Sequence, residues 1–348
     1  MNREKQYMML CLDLAIKGLG NVASNPLVGC VIVKDDKIIA ESYHKEYGMA
    51  HAEVNAINSF APNFDLSDCT LYVNLEPCSH HGKTPPCSDL IIAKKIKKVV
   101  ICNVDSNPLV DGKGIEKLKN AGIEVETGIL EKEGRELNKR FFTFHEKKRP
   151  YIILKWAQTN DGFISKLPLP LNKSENWITG EESKKLVHLM RSQEQAIMVG
   201  TNTVINDNPE LTVRLVEGKN PLRIVLDKDL KLKHSSKIFN NASETLVFTE
   251  LRKNDSGNIK YCKINFTSDI LPQVLDKLYK LNISSVIIEG GTPLLQSFIK
   301  EKLWDEAKVF VNPNKNFVHG IKAPELNLSK GLKEKSGTDI LFSIKNSI

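Results

Sequence analysis

Two short stretches of the 348-residue chain carry side chains able to act together on one substrate atom. They are His51-Ala52-Glu53 and the run Pro77-Cys78-Ser79-His80-His81-Gly82-Lys83-Thr84-Pro85-Pro86-Cys87. One imidazole and two thiols make the ligand set of an open zinc site whose fourth position is left to water. Such a site brings the pKa of water toward neutrality, which suits attack on an amidine-type ring carbon that bears an amino group. A carboxylate must then carry the water's proton to a ring nitrogen and on to the departing amine. Glu53 meets that need provided it stays off the metal. Two positions after His51, in the first turn of a helix, it points into the pocket beside the zinc. Cys78 follows Glu76-Pro77, where a strand ends and backbone amides favour a thiolate.

Each piece alone is common: H-x-E arises by chance, and buried cysteines are mostly packing residues. Together they specify a zinc-dependent base deaminase. The residues alone leave His80 or His81 open as third ligand in place of Cys87. The usual second half of such a motif is P-C-x-x-C; here the second cysteine lies much further along, so the intervening loop must bulge out and return. P-C-S-H-H-G-K-T-P-P-C resembles the deaminase of bacterial riboflavin biosynthesis, a family in which the long loop is the norm and the second cysteine is the ligand. The resemblance implies a cytidine-deaminase-like three-layer α/β/α sandwich. It also implies that Asn25 lines the base pocket. Lys83 and Lys113 are each open to two readings, a contact to the substrate phosphate or an ordinary surface lysine.

The elements needed to hold these residues follow in order. Residues 7–19 read as an amphipathic helix and 30–33 with 37–42 as a hairpin; a helix begins near His51 and a buried strand spans 70–74. After Cys87 come a helix at 88–94, a strand at 98–102, a glycine-rich loop at 105–114, a helix with Leu118 and a strand at 124–127. Strands alternating with helices predict an α/β layered domain. A charged helix is expected over 131–142. The basic run Lys147-Lys148-Arg149-Pro150 reads as a solvated linker, dividing the chain into 1–147 and 148–348.

Composition is that of a soluble globular protein: 41% hydrophobic, 26% charged, net charge +7. The excess of positive charge suits phosphorylated substrates and leaves nucleic acid open as a partner. The seven scattered cysteines predict a reducing cytoplasm. No signal peptide and no apolar stretch long enough to span a bilayer are expected.

The second half reads as strands at 151–155, 196–199, 222–226, 245–248 and 285–288, helices at 181–191 and 269–281, and closing strands at 305–311 and 339–344. A strand ending in Glu289-Gly290-Gly291-Thr292 and running into a helix offers backbone amides to an anion. No G-x-G-x-x-G occurs, so a Rossmann fold is not indicated. The motifs around Trp156-Ala157 and Asp161-Gly162, then Trp177-Ile178-Thr179, then Gly200 through Arg214, then Glu289-Gly290-Gly291, resemble the reductase domain of the same riboflavin enzyme. That resemblance covers nearly the whole chain and implies a dihydrofolate-reductase-like α/β domain using NADPH.

By that resemblance, cofactor contacts come from Ala157, Trp177, Thr203 and Asp207, and from Gly291, Thr292, Pro293, Leu294, Leu295, Gln296 and Ser297 around the pyrophosphate. Substrate contacts come from Glu175, Arg191, Leu211, Arg214 and Glu289, with the two arginines reaching one phosphate as guanidinium forks do. Many relatives have Ser where Glu175 stands, so either the carboxylate faces sugar hydroxyls or the loop at 166–173 shifts the register. Lys155 and Asp161 are candidates for polar support. The expected function is bifunctional: hydrolytic deamination of a diaminopyrimidinone ribosylamine 5′-phosphate with Zn2+, then NADPH-dependent reduction at C1′ of its ribosyl group. The expected partner is this phosphorylated pyrimidine, with no nucleic acid and no membrane, and the expected assembly a homo-oligomer. A nucleotide or tRNA base deaminase with an accessory domain, and a chain with one inactive domain serving as a binding module, are the competing readings.

Overall fold

A computed structural model describes residues 2–80, 85–170 and 172–346. The chain forms two compact units, Met1–Lys148 and Arg149–Ile348.

The first unit contains, in chain order, α1 (Arg3–Ala15), β1 (Gly29–Lys34), β2 (Lys37–Tyr43), α2 (Ala52–Ile57), β3 (Thr70–Leu75), α3 (Cys87–Ala93), β4 (Lys98–Asn103), α4 (Lys113–Asn120), β5 (Glu124–Thr127), α5 (Glu131–Leu137) and α6 (Lys139–Lys147). Its sheet has the order β2-β1-β3-β4-β5. β1 pairs antiparallel with β2 and β3, while β3, β4 and β5 are parallel. The inner strands are continuous apolar runs because both of their faces are covered. Cys30, Ile32, Leu71, Val73, Val99 and Ile101 pack with Ala52, Ile91 and Leu118 on one face. Their neighbours Val31, Val33, Tyr72, Val100 and Cys102 pack with Met8, Cys11 and Leu14 on the other. Alternation along each strand thus supplies two cores, giving three layers. α1 lies so close to β1 that a Cβ at Gly29 would stand 2.1 Å from the carbonyl oxygen of Cys11.

The helix expected over 131–142 is two helices. They break at Asn138, whose buried side chain accepts from the Leu27 N–H (2.8 Å) and donates to the Leu27 carbonyl (2.9 Å). No local pattern marks a residue recruited by a partner 111 positions away.

The second unit contains β6 (Tyr151–Thr159), β7 (Phe163–Lys166), α7 (Glu181–Gln193), β8 (Ala196–Gly200), α8 (Thr201–Asp207), β9 (Leu222–Leu226), β10 (Thr245–Thr249), β11 (Ile259–Lys263), α9 (Ile270–Lys280), β12 (Ser285–Ile288), α10 (Thr292–Lys300), β13 (Glu306–Asn312), β14 (Gly320–Lys322), β15 (Leu332–Ser336) and β16 (Asp339–Lys345). The main sheet runs β11-β10-β9-β8-β12-β6-β13-β16-β15, parallel from β11 to β13 and antiparallel at β16 and β15. One face packs Ile152, Leu154, Met198 and Phe248 with helical Val274, Leu278, Leu295 and Phe298. The opposite face packs Tyr151, Ile153, Ile197, Val199 and Ile287 with Val204 and Leu211. Sequence patterning missed the short β7, α8, β11, β14 and β15, which carry few or irregularly spaced apolar residues.

The basic run at 147–150 is not simply a solvated linker. Arg149 forms a two-pronged pair with Asp305 (Nη1–Oδ2 2.5 Å, Nη2–Oδ1 2.8 Å) and donates to the Pro150 carbonyl. Its guanidinium closes the start of β6 onto the start of β13.

Candidate active sites

In the first unit, His51 is the N-cap residue of α2, which puts Glu53 in the first turn with its side chain buried. Cys87 opens α3 after the Pro86 cap. Cys78 stands just beyond β3, and the two ends of the long loop are tied together: the Cys87 N–H donates to Cys78 Sγ (3.3 Å) and the Ser88 N–H to the Cys78 carbonyl (3.2 Å). His51 Nδ1 lies 3.3 Å from Cys87 Sγ and 3.6 Å from Cys78 Sγ. One ligand atom from each of the three lies within 4.8 Å of the others, a spacing suited to one tetrahedral ion. His80 does not join this group; its Nδ1 is buried without a partner. His81 and Lys83 lie outside the described residues.

The electrostatics fit a metal centre. The Cys78 thiol is held down at about 4, chiefly by the hydrogen bond from Cys87 and, against burial, by His51. Cys87 is pushed up because it donates to Cys78 and is buried. The hydrogen bond to Cys78 raises His51. Burial raises Glu53, and its Oε2 has no hydrogen-bond partner. A buried carboxylate oxygen with no donor, beside two thiols and an imidazole, marks a place for a polar group the protein itself does not supply. The set therefore fits zinc with an adjacent water.

His44 is a neighbour that no sequence spacing disclosed. Its ring stands edge-on to His51 at 5.3 Å, and its nitrogens meet the Ala50 carbonyl oxygen and Asn25 Nδ2, each at 3.1 Å. Asn25 is thereby tied to the imidazole next to His51. Asp105, on the loop after β4, is pushed up to about 7 by burial, with Glu76 and Cys78 adding repulsion. Lys113 is turned back onto the Pro108 carbonyl (3.0 Å).

In the second unit, the carboxyl ends of the adjacent parallel strands β8 and β12 form a cradle, where ligands of open α/β sheets bind. The Gly291 N–H donates to Thr203 Oγ1 (3.0 Å). A Cβ at Gly290 would come within 3.1 Å of Leu294 and 3.7 Å of the Gly200 nitrogen. Gly291 caps α10, whose first turn is Thr292, Pro293 and Leu294; Pro293 carries no N–H and the Leu294 N–H donates to the Gly291 carbonyl (3.1 Å), so this turn offers an anion the positive end of the helix rather than a row of free amides. Further along the helix the side chains are committed within the protein: Leu295 is in the core, Gln296 Oε1 accepts from the Glu325 N–H (2.8 Å), and Ser297 Oγ bonds the Leu294 carbonyl (2.8 Å). Asp207 ends α8, and Ala157 lies on β6 opposite Phe310 of β13. Trp177 is exposed, with the Lys184 ammonium 4.3 Å from its ring centroid.

Beside the cradle is a nearly buried charge network. Glu289 binds Arg191 through Nε–Oε1 (3.1 Å) and Nη2–Oε2 (2.8 Å), and Lys155 Nζ stands 3.7 Å away. Burial favours the neutral acid, but Arg191 and Lys155 outweigh it and hold Glu289 at about 2. Burial lowers Lys155, with Glu289 partly offsetting it. Arg191 and Arg214 converge on Thr212: Arg191 Nη1 donates to its carbonyl (3.3 Å) and Arg214 Nη1 to its hydroxyl (2.8 Å). Arg214 also pairs with Glu210 at 3.0 Å and is half exposed. Its N–H donates to His188 Nδ1 (3.0 Å). His188, held down to about 4 by burial and the two arginines, and Thr212 both went unseen in the sequence. Leu211 is buried with φ +56°, turning the chain between Glu210 and Thr212.

Two expectations change. Asp161 is a turn anchor: its carboxylate accepts from Thr159 Oγ1 and from the N–H groups of Phe317 and Val318. Glu175 is exposed with its Oε2 3.7 Å from Lys166 Nζ, so its carboxylate answers a local lysine. The 3₁₀ turn Lys173–Asn176 sets that position.

Fold and sites define a two-unit protein: a cytidine-deaminase-like unit with a zinc ligand set, joined to an α/β reductase unit. Residues 1–103 match the cytidine and deoxycytidylate deaminase zinc-binding region, and residues 150–315 match the RibD C-terminal domain. The chain is 45% identical over 315 residues to the riboflavin biosynthesis protein RibD of Aquifex aeolicus, covering 89% of this chain and 87% of that protein. It is 40% identical over 357 residues to RibD of Actinobacillus pleuropneumoniae, covering 97% and 93%. The solved Thermotoga maritima diaminohydroxyphosphoribosylaminopyrimidine deaminase/5-amino-6-(5-phosphoribosylamino)uracil reductase superposes with a TM-score of 0.87 at 39% identity, covering 99% of this chain and 98% of that one. Acinetobacter baumannii RibD gives 0.86 at 32% identity, with the same coverage. The chain belongs to the RibD family of bifunctional riboflavin-biosynthesis enzymes.

Proposed function

We propose that the first unit deaminates a diaminopyrimidinone ribosylamine 5′-phosphate and that the second reduces the deaminated product with NADPH to the ribitylamino compound. The observation that carries the first half is the unpartnered, buried Glu53 Oε2 beside His51, Cys78 and Cys87. Zinc held by those three supplies Lewis acidity toward water at neutral pH. Glu53 takes up the water's proton at Oε2 and delivers it to the ring nitrogen and then to the leaving amine, which departs as ammonia. Burial raises Glu53, the direction that suits a group that must hold a proton before releasing it.

In the second unit NADPH supplies the hydride. Gly291, Thr203 and the first turn of α10 hold its pyrophosphate, and Ala157, Trp177 and Asp207 complete the cofactor contacts. Arg214, half exposed beside Arg191, binds the substrate phosphate; Leu211 and Glu289 border the substrate. The reaction needs the nicotinamide C4 held close to C1′ of the opened sugar more than it needs a strong acid. The seven cysteines, all free, suit a reducing cytoplasm. Among the described residues no helix is long and apolar enough to cross a membrane. The protein acts as a homo-oligomer on a small molecule and not on nucleic acid.

Mass spectrometry of the product tests both halves. Zinc-loaded protein and the pyrimidine substrate should give the deaminated compound without NADPH and the deaminated, reduced compound with it. Unchanged substrate in both reactions overturns the proposal, and salt-sensitive RNA binding would then favour a tRNA deaminase.

A further inference from the structure

Glu53 is not the only buried carboxylate of the first unit. Glu76, the residue after β3 and two before Cys78, is 3% exposed. No cation pairs with it among the described residues; it accepts four backbone N–H groups instead. Oε2 receives Asp105 (3.1 Å) and Gly112 (3.0 Å), and Oε1 receives Gly114 (2.8 Å) and Ile115 (3.2 Å). These amides span the loop after β4 and the first turn of α4. Gly112, the α4 cap residue, has no side chain to offer, so Glu76 caps the helix from the turn after β3. The loop rests directly on the Glu76-Pro77-Cys78 turn: a Cβ at Gly114 would stand 2.1 Å from the Pro77 carbonyl oxygen. Asp105, at the start of the loop, lies within electrostatic reach of Cys78.

We propose that Glu76 is a positioning residue for the deamination: its backbone carries Cys78 into the metal site while its carboxylate locks the 105–114 loop in place as a wall of the pyrimidine pocket. The assignment rests on the deaminase reading of this unit. Four donors need the four lone pairs of an ionised carboxylate. A glutamine at this position has one acceptor oxygen and turns its NH2 group against two of the N–H groups. The loop then loses half its anchorage while the zinc ligands stay as they are.

The test uses full-length, zinc-loaded protein with Glu76→Gln. Ammonia release from the diaminopyrimidinone ribosylamine phosphate should show KM raised about tenfold or more with kcat within about threefold, the pattern of lost substrate binding. Zinc per chain and NADPH-dependent reduction should be unchanged. Amide hydrogen exchange at Gly112, Gly114 and Ile115 should accelerate. Glu76→Asp, which keeps the carboxylate, should recover part of the KM. A wild-type KM, wild-type exchange at the three amides, or loss of zinc in step with activity overturns the proposal, the last because Glu76 would then act through Cys78. If the glutamine variant does not fold, the aspartate variant decides: raised KM with zinc retained supports the assignment, and unaltered KM overturns it. Should the wild-type protein release no ammonia, the deaminase reading fails, while the exchange measurement still shows whether Glu76 holds the loop.

Discussion

Replacing Glu289 by glutamine removes one charge from a network of three. The carboxylate meets Arg191 at 2.8 and 3.1 Å and Lys155 at 3.7 Å, and the three side chains are only 12–13% exposed. Glu289 titrates at about 2 against an ordinary 4.5, the two cations outweighing the opposing effect of burial. Because the folded value is the lower one, the network contributes stability at any pH above 4.5 and loses it as pH falls toward 2. At about 1.4 kcal/mol per pKa unit the contribution is about 3 kcal/mol. That agrees with the roughly 3–5 kcal/mol lost when one partner of a buried pair is removed. For a unit of about 200 residues, each kcal/mol is worth about 2–4 °C, so Tm should fall by about 6–12 °C at pH 7. Trp156, Trp177 and Trp304 are the only tryptophans and all lie in the second unit, so their fluorescence reports its unfolding selectively. The gap between wild type and variant should narrow steadily from pH 4.5 toward 2, because over that range the unfolded wild-type chain takes up a proton at Glu289 while the folded carboxylate stays ionised. A fall below about 2 °C at pH 7, or a gap that stays constant into acid, refutes the reasoning.

Glu53→Gln should keep zinc, measured by metal analysis, while ammonia release drops by about 10²–10⁴-fold; deamination at the wild-type rate would remove Glu53 from proton transfer. Cys87→Ser should weaken zinc binding by about tenfold or more in a chelator competition, whereas His81→Ala should not; the reverse would move the third ligand to the histidine. Gly134→Ala would place a Cβ 2.0 Å from Asn103 Oδ1 and 2.4 Å from Cys102 Sγ. It should cost about 1–3 kcal/mol in the first unit, seen as an earlier thermal loss of ammonia release with reductase activity unaffected. Thr203→Val removes the acceptor for the Gly291 N–H and should raise the KM for NADPH about fivefold without touching deamination, a split read from steady-state kinetics on the two reactions.

The apolar runs at β1, β3, β4 and β12 are legible because a strand covered on both faces has to be hydrophobic throughout. The break at Asn138 is not, since it depends on one amide satisfying the backbone of Leu27 across the unit. The same division runs through the sites. His51, Glu53, Cys78 and Cys87 stand out because metal and proton chemistry restrict residue type so strongly. His44, His188 and Thr212 carry no spacing signal and enter only through contact with residues from other elements. Asp161 and Glu175 show the converse. Both sit inside informative motifs, yet local geometry commits one to a turn and pairs the other with Lys166.

By itself, then, the sequence determined the two chemistries and their order along the chain, because metal-ligand types mark the first and a set of motifs resembling a known reductase marks the second. The tertiary structure alone decided which charges face each other. Arg191 is held by Glu289, Arg149 by Asp305, and the 105–114 loop by Glu76, each across a wide gap in sequence. Those pairings arise because a buried charge or amide must find a partner, and the fold determines which one lies within reach.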